Sequence, residues 1–327
     1  MKLYFTLTDG VENSQINLDM LRLALKSAKE NTSLKLYALY DGTPNDKAYK
    51  IFEEYGTNII LCKCSFRDKL EKYYQNQSDD IRNGIKRMLG CFMKFDIAVH
   101  EQEDDVVLYA DIDTIFLQDV DWSSFQTKTI AAAPEFDKNY DIIKGYKYFS
   151  ASPMFINVPE AKKRRLSLLD MLDKHIEPYQ ECWDQGFWNE LYKDDFEQLP
   201  IEFNWKPYWG INDDAKIVHI HGYKLGSMTE SDANFCGMRI SHWPEAYDGW
   251  LYYTIKSYKI LGYDKDKFIV GFAKFLNDSK IGNKKQWYFS SYLLHWVYVK
   301  LEKHKHKKIL GCIYNFAKRK LIKRHII

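Results

Sequence analysis

Two short runs of this chain carry side chains whose types and spacing suit metal and phosphate chemistry. Tyr109-Ala110-Asp111-Ile112-Asp113 sets two carboxylates two residues apart, directly after the apolar run Val106-Val107-Leu108-Tyr109. In extended backbone alternate side chains point to one side, so Asp111 and Asp113 can share one cation. Mg2+ or Mn2+ takes oxygen ligands and keeps positions open for phosphate oxygens, which is what a departing diphosphate needs. Acids at this spacing also occur in ordinary solvated loops; the hydrophobic strand before them is what favours a site. The second run is Ile217-Val218-His219-Ile220-His221-Gly222-Tyr223-Lys224. On a strand His219 and His221 face the same way, so one can complete a metal's coordination while Lys224 neutralises a phosphate. Two histidines packed in a half-buried strand would account for the same residues.

Trp183-Asp184-Gln185-Gly186-Phe187-Trp188-Asn189 embeds three polar side chains in an aromatic segment. Trp is a platform for the apolar face of a sugar, whereas Asp184 or Gln185 at the start of a helix would serve equally as a cap. Leu199-Pro200-Ile201-Glu202-Phe203-Asn204-Trp205 reads as a short strand with Asn204 beside another Trp.

The elements that must position these groups follow from hydrophobic period. Leu3–Thr8 reads as a buried strand ending at Asp9-Gly10, and the spacing of Leu18, Leu21, Leu25 and Ala28 predicts a helix. Leu34–Tyr40 and Asn58–Cys62 read as strands around a helix over Asp46–Tyr55, which opens a parallel sheet. Arg82–His100 suits one helix, Asp105–Tyr109 a strand, Ala131–Pro134 and Met154–Val158 short strands, and Lys162–Ile176 an amphipathic helix. In open parallel sheets ligands gather at the carboxyl ends of strands, and that is where Asp111 follows Tyr109.

The 327 residues can bury a large core, and 16% of them are aromatic, a composition for a packed globule that also stacks on ring-shaped ligands. The net charge of +2 conceals an asymmetry: residues 303–327 hold nine Lys or Arg and no acid, leaving about −7 for the rest. A mildly acidic body argues against a nucleic-acid-binding groove and makes a metal the natural partner of a ligand's phosphates. The six cysteines are scattered without zinc-type spacing and read as reduced core residues. Met1 leads straight into Lys2–Thr8 with no apolar stretch long enough for a secretory signal or membrane span, so a cytoplasmic protein is expected.

Four motifs in order make the chain resemble a nucleotide-sugar transferase of the GT-A fold, particularly glycosyltransferase family 8, the glycogenin and lipopolysaccharide galactosyltransferase group. They are Leu108-Tyr109-Ala110-Asp111-Ile112-Asp113; Asp184-Gln185 with Asn189; Leu199-Pro200 with Asn204-Trp205; and His219, Gly222 and Lys224. The resemblance implies an α/β fold: a Rossmann-like, mixed, mainly parallel sheet flanked by helices, with a helical C-terminal extension. The resemblance spans roughly residues 3–225; with the change of texture towards Tyr, Trp and Lys further on, a catalytic domain is expected over 1–245, with a donor-binding half over 1–115 and an acceptor half over 116–245, before an aromatic, basic extension over 246–327. Asp111, Asp113 and His219 become metal ligands for Mn2+ or Mg2+, Lys224 a diphosphate contact, and Ile112 part of the donor site. Thr6, Thr8 and Asp9 would hold the nucleobase and ribose of a UDP-sugar, and Arg87 resembles the family's basic residue before the metal motif. Asp184 and Gln185 would lie near the transferred sugar, Gln185 facing the anomeric carbon in a retaining transfer to a glycan or glycolipid. Where the family has asparagine-x-glycine before a strand, this chain has Phe149-Ser150-Ala151-Ser152-Pro153-Met154.

Over Lys307–Ile327 apolar residues recur at helical spacing beside Lys318, Arg319, Lys320, Lys323 and Arg324. Such a basic amphipathic helix would lie on an anionic membrane surface, pack on the body with its basic face solvated, or touch nucleic acid. The competing functions are a sugar-binding protein without turnover and a metal-dependent phosphohydrolase, which would need further acids around a second metal.

Overall fold

Leu3, Phe5 and Leu7 on one face of the first strand and Tyr4 on the other are all buried, the mark of a strand covered on both sides. The computed structural model describes residues 1–74, 88–135, 148–174, 183–193, 195–221 and 245–263. Within them the strands are β1 (Lys2–Thr8), β2 (Lys35–Asp41), β3 (Asn58–Leu61), β4 (Val106–Tyr109), β5 (Thr114–Phe116), β6 (Ile130–Pro134), β7 (Phe149–Asn157), β8 (Phe196–Gln198) and β9 (Ile217–His219). Seven form one sheet in the order β3-β2-β1-β4-β7-β6-β8. β7 runs antiparallel to β4 and β6 while the other pairs are parallel, so the expected mixed, mainly parallel α/β sheet is observed.

Alternation along the strands builds two cores. Leu3, Phe5, Val106, Leu108 and Phe155 meet helices α1 (Gln15–Asn31) and α2 (Lys47–Glu54) on one face. Tyr4, Val107, Tyr109, Met154 and Ile156 meet α3 (Arg67–Tyr73) and the helices Val158–Asp173 and Trp183–Tyr192 on the other. Each such side chain contributes roughly 1.5–3 kcal/mol by leaving water. Leu108 is fully buried, so Leu108→Ala would cost about 2–5 kcal/mol.

The predicted stripe Leu18, Leu21, Leu25 and Ala28 of α1 does face the sheet, but Met20 and Leu23 on its flank are buried as well. They pack with Ile115, Val218 and Tyr253, where the two-stranded ladder β5–β9 and the helix Glu245–Leu261 cover α1 from outside. Ser27 Oγ accepts the Phe116 N–H at 3.1 Å and Asn31 Nδ2 donates to the Phe116 carbonyl at 2.9 Å, which fastens β5 to this helix.

Three elements differ from expectation. Residues 201–204 form a 3-10 turn instead of a strand, started by Pro200, whose carbonyl accepts from Phe203 N at 3.1 Å. Trp205, just after the turn, is extended and bridges Val218. β7 begins at Phe149, earlier than the apolar pattern indicated, because the small residues Ser150, Ala151 and Ser152 are buried strand residues. The described part of the helix expected over 82–100 is interrupted by a 3-10 turn at Met93–Asp96 before α-helix resumes at Ile97–His100; in that turn Lys94 and Asp96 are buried and tied to partners on other elements. Arg87, Lys224 and the basic segment 307–327 lie outside the described residues, as does most of the expected extension.

Candidate functional site

The sheet order reverses between β1 and β4: β2 and β3 add on one side of β1, and the chain then crosses to place β4 on the other. Such a switch point opens a crevice at the strands' carboxyl ends. A cleft of about 240 Å³ lies there, lined by Thr6 and Thr8 at the end of β1, Asn17 and Met20 of α1, Cys91, Tyr109 and Asp111-Ile112-Asp113. Thr6 Oγ1 donates to the Gly90 carbonyl at 2.8 Å and stands 3.3 Å from the Tyr109 hydroxyl, closing the floor. Asp9 is exposed and does not line the cleft.

At one end of the cleft Asp111, Asp113 and His219 converge, with a ligand atom of each within 4.8 Å of the others. Long-range pairing makes this cluster. β5 pairs with β9 so that Thr114 faces His219, and the Ile220 N–H donates to the Asp113 carbonyl at 2.7 Å. His219 Nε2 thereby stands 3.2 Å from Asp113 Oδ1. The Asp111 N–H donates to Ser152 Oγ at 2.7 Å, and Thr114 Oγ1 donates to the Asp111 carbonyl at 2.8 Å, which fixes the turn. Asn204 Oδ1 lies 3.1 Å from His219 Nδ1. With that oxygen accepting, Nδ1 carries the ring proton and Nε2 turns its lone pair towards the carboxylates. Two carboxylates and an imidazole nitrogen aimed at one point fit a divalent cation.

The group that orders the carboxylates is one the sequence reading missed. Lys94 is buried, with its ammonium 2.7 Å from Asp184 Oδ2, 3.7 Å from Asp111 Oδ1, and 4.6 Å above the Tyr109 ring. It also donates to the Ala151 carbonyl at 3.2 Å. Burial would lower its pKa, but Asp111 and Asp184 outweigh burial and hold it above the ordinary lysine range. Burial pushes the Asp184 carboxyl up, Lys94 opposing and Asp111 adding to the rise. Burial and the Asp111 charge keep Tyr109 a phenol, and it donates to Asp111. The resemblance gave the basic role before the metal motif to Arg87, which lies outside the described residues; the cation found beside Asp111 is Lys94. Its spacing was obscured because it lies on a 3-10 turn inside an apolar run.

The helix Trp183–Tyr192 brings Asp184 to Lys94 and Gln185 to β7. Gln185 Oε1 accepts the Ala151 N–H at 3.0 Å while its Nε2 donates to Glu135 at 3.2 Å. Asn189 clamps the same strand, accepting from Phe149 N and donating to the Phe149 carbonyl, both at 2.8 Å. Glu135 and its buried partner Lys206 carried no sequence signal, since they lie 71 residues apart and neither belongs to the motifs singled out. His221 does not join the cluster of carboxylates; its ring stands 3.4 Å from the Tyr208 hydroxyl.

Fold and site together define an open α/β sheet with a ligand cleft at its strand-order reversal and a carboxylate-imidazole cluster beside it. No family model matches the chain, and a search of curated proteins found no match. Among solved structures it is similar to mouse xyloside xylosyltransferase 1 in its apo form, at 13% identity and a TM-score of 0.47, over 67% of this chain and 96% of that one. It is similar to the galactosyltransferase LgtC in complex with donor and acceptor sugar analogs, at 16% identity and a TM-score of 0.49, over 76% of this chain and 94% of that one. A third likeness is to apo GlyE, a glycosyltransferase of Streptococcus pneumoniae TIGR4, at 20% identity and a TM-score of 0.47, over 67% of this chain and 54% of that one. At such identities what this site can do follows from its own side chains.

Proposed function

We propose that this chain is a metal-dependent glycosyltransferase that moves a hexosyl or related sugar from a UDP-sugar to a glycan or glycolipid acceptor with retention, in surface-polysaccharide or lipopolysaccharide-type synthesis. The convergence of Asp111, Asp113 and His219 beside the cleft carries this reading. The nucleoside would lie between Thr6, Thr8 and Ile112, with the diphosphate over the three ligands. A bound Mn2+ or Mg2+ would supply positive charge where the diphosphate departs.

Lys94 keeps Asp111 and Asp184 in place, and Gln185 would face the anomeric carbon. Asp184 is engaged by Lys94 and Glu135 by Lys206 and Gln185, so these carboxylates are poorly suited to act as an acceptor's base. That favours transfer on one face: the acceptor oxygen bonds to the anomeric carbon as the carbon–phosphate oxygen bond breaks, and the phosphate oxygen takes the hydroxyl proton. Lys224, outside the described residues, would be a further phosphate contact.

The test is release of free nucleoside diphosphate from a panel of nucleotide sugars with Mn2+ or Mg2+, repeated with chelator and with Asp113→Ala. Metal-dependent release from one donor, lost in the variant, supports the transferase. Tight donor binding without release from any donor sinks it in favour of a binding protein.

The basic segment 307–327 supports a peripheral location on the cytoplasmic face of a membrane, each basic group near anionic headgroups being worth ~1 kcal/mol. Removing residues after Lys303 should abolish co-sedimentation with anionic vesicles; unchanged sedimentation would refute attachment through this segment.

A further inference from the structure

Lys206 has no exposed surface, and its ammonium donates to Glu135 Oε1 at 2.6 Å. The other oxygen of Glu135 accepts the Gln185 Nε2 at 3.2 Å. A buried ion pair is costly to desolvate, and a Met side chain of similar length would fill the position, so core packing alone does not account for a charge here.

The backbone is extended at Trp205 (φ −67°, ψ 131°) and Lys206 (φ −104°, ψ 133°), so Asn204 and Lys206 project from one side of the segment. Asn204 meets His219, and Lys206 meets Glu135. This stretch is held rigidly: Trp205 N donates to the Ile217 carbonyl at 3.0 Å and His219 N to the Trp205 carbonyl at 2.8 Å. One three-residue piece of backbone therefore touches His219 of the candidate metal cluster and, through Glu135, connects to the carboxamide of Gln185.

The two ends of a carboxamide are nearly isosteric, and its neighbours decide its orientation. A carboxylate only accepts, so Glu135 draws Nε2; the Ala151 N–H only donates, so it draws Oε1. We propose that Lys206 is a positioning residue which, through Glu135, fixes the orientation of the Gln185 carboxamide and keeps its oxygen on the side of the transferred sugar. The proposal rests on the transferase reading for the location of that sugar.

Two readouts separate its failure from the failure of that reading. In 15N-labelled protein the Gln185 side-chain signal is assigned by its loss in Gln185→Glu. Lys206→Met should move it towards the position of exposed glutamines and speed its solvent exchange. In the wild type's best donor reaction, Lys206→Met should lower kcat by ten- to about a hundredfold, the scale of a misplaced reacting group, with donor KM within about threefold. Glu135→Gln, whose amide can pair with Gln185 either way round, should do the same, and the double variant should be no worse than the worse single. If Lys206→Met does not fold, Glu135→Gln carries both readouts. An unmoved signal overturns the proposal, as does a moved signal with unchanged kcat. A wild type that releases no nucleoside diphosphate overturns the transferase reading, and the amide signal then decides the positioning on its own.

Discussion

The ammonium of Lys94 stands 2.7 Å from the carboxylate of Asp184, both side chains being buried beneath the Asp111 turn. Removing one partner of a buried pair leaves the other charge uncompensated, which costs about 3–5 kcal/mol. Lys94→Met should therefore lower unfolding free energy by that order in urea titration. Lys94→Met with Asp184→Asn should recover much of it, since the charge left behind, Asp111, is partly exposed to water; equal destabilisation by single and double variants would refute the coupling.

Asn204 touches the candidate metal cluster through His219 Nδ1. Loss of such an outer partner typically weakens metal affinity 10–100-fold. Asn204→Ala should weaken Mn2+ binding by that factor in calorimetric titration, with Asp113→Ala abolishing measurable binding. Unaltered affinity in Asn204→Ala would show that His219 is not oriented by this contact.

Glu101 ties the far end of β1 to the sheet: Lys2 at 2.8 Å, the Tyr4 hydroxyl at 2.7 Å and the N–H groups of Glu103 at 2.7 Å and Asp104 at 3.0 Å all donate to it. Burial acts to raise its pKa, but these donors prevail and push it from 4.5 down to about 2. The unfolded chain binds this proton near 4.5 and the folded chain only near 2, so the stabilisation is complete above about pH 4.5 and lost as pH falls towards 2. It amounts to at most about 3 kcal/mol, reduced because Glu103 leaves one side of the cluster wet. Glu101→Gln should flatten this part of the stability–pH curve, and an unchanged slope would assign it to other carboxylates.

Gly249 is the close-approach point of the helix Glu245–Leu261: an added Cβ would come within 2.6 Å of the Gly210 carbonyl carbon and closer still to the Pro207 carbonyl oxygen. Gly→Ala within a helix ordinarily stabilises by about 1 kcal/mol, whereas forcing backbone apart costs about 1–3 kcal/mol. The clash should win because the obstacle is backbone, and Gly249→Ala should lower the Tm. A raised Tm would mean that the helix can slide away from the segment carrying Lys206.

Much of the sheet was legible because β1, β2 and β4 announce themselves by apolar runs, and Asp111 and Asp113 by following one of them. The buried strand Phe149–Asn157 was half legible, because serines inside a sheet look like a loop until their hydroxyls are seen bonding, as Ser152 does to the Asp111 N–H. The 3-10 turn at 201–204 was misread as a strand, since its apolar content is set by packing and its geometry by Pro200.

By itself the sequence determined the opening strand–helix alternation from β1 to β3, the acidic pair at a strand end and the His219 run, because these depend on local period and adjacency. Which charges face one another was decided only in three dimensions. Lys94 joins Asp111 and Asp184, and Glu135 receives both Lys206 and Gln185, across loops whose closure depends on sheet order and on the β5–β9 register. No local pattern encodes such a meeting: a lone buried lysine has the same composition whether it pairs with a catalytic carboxylate or a structural one, and only its neighbours in space distinguish the two.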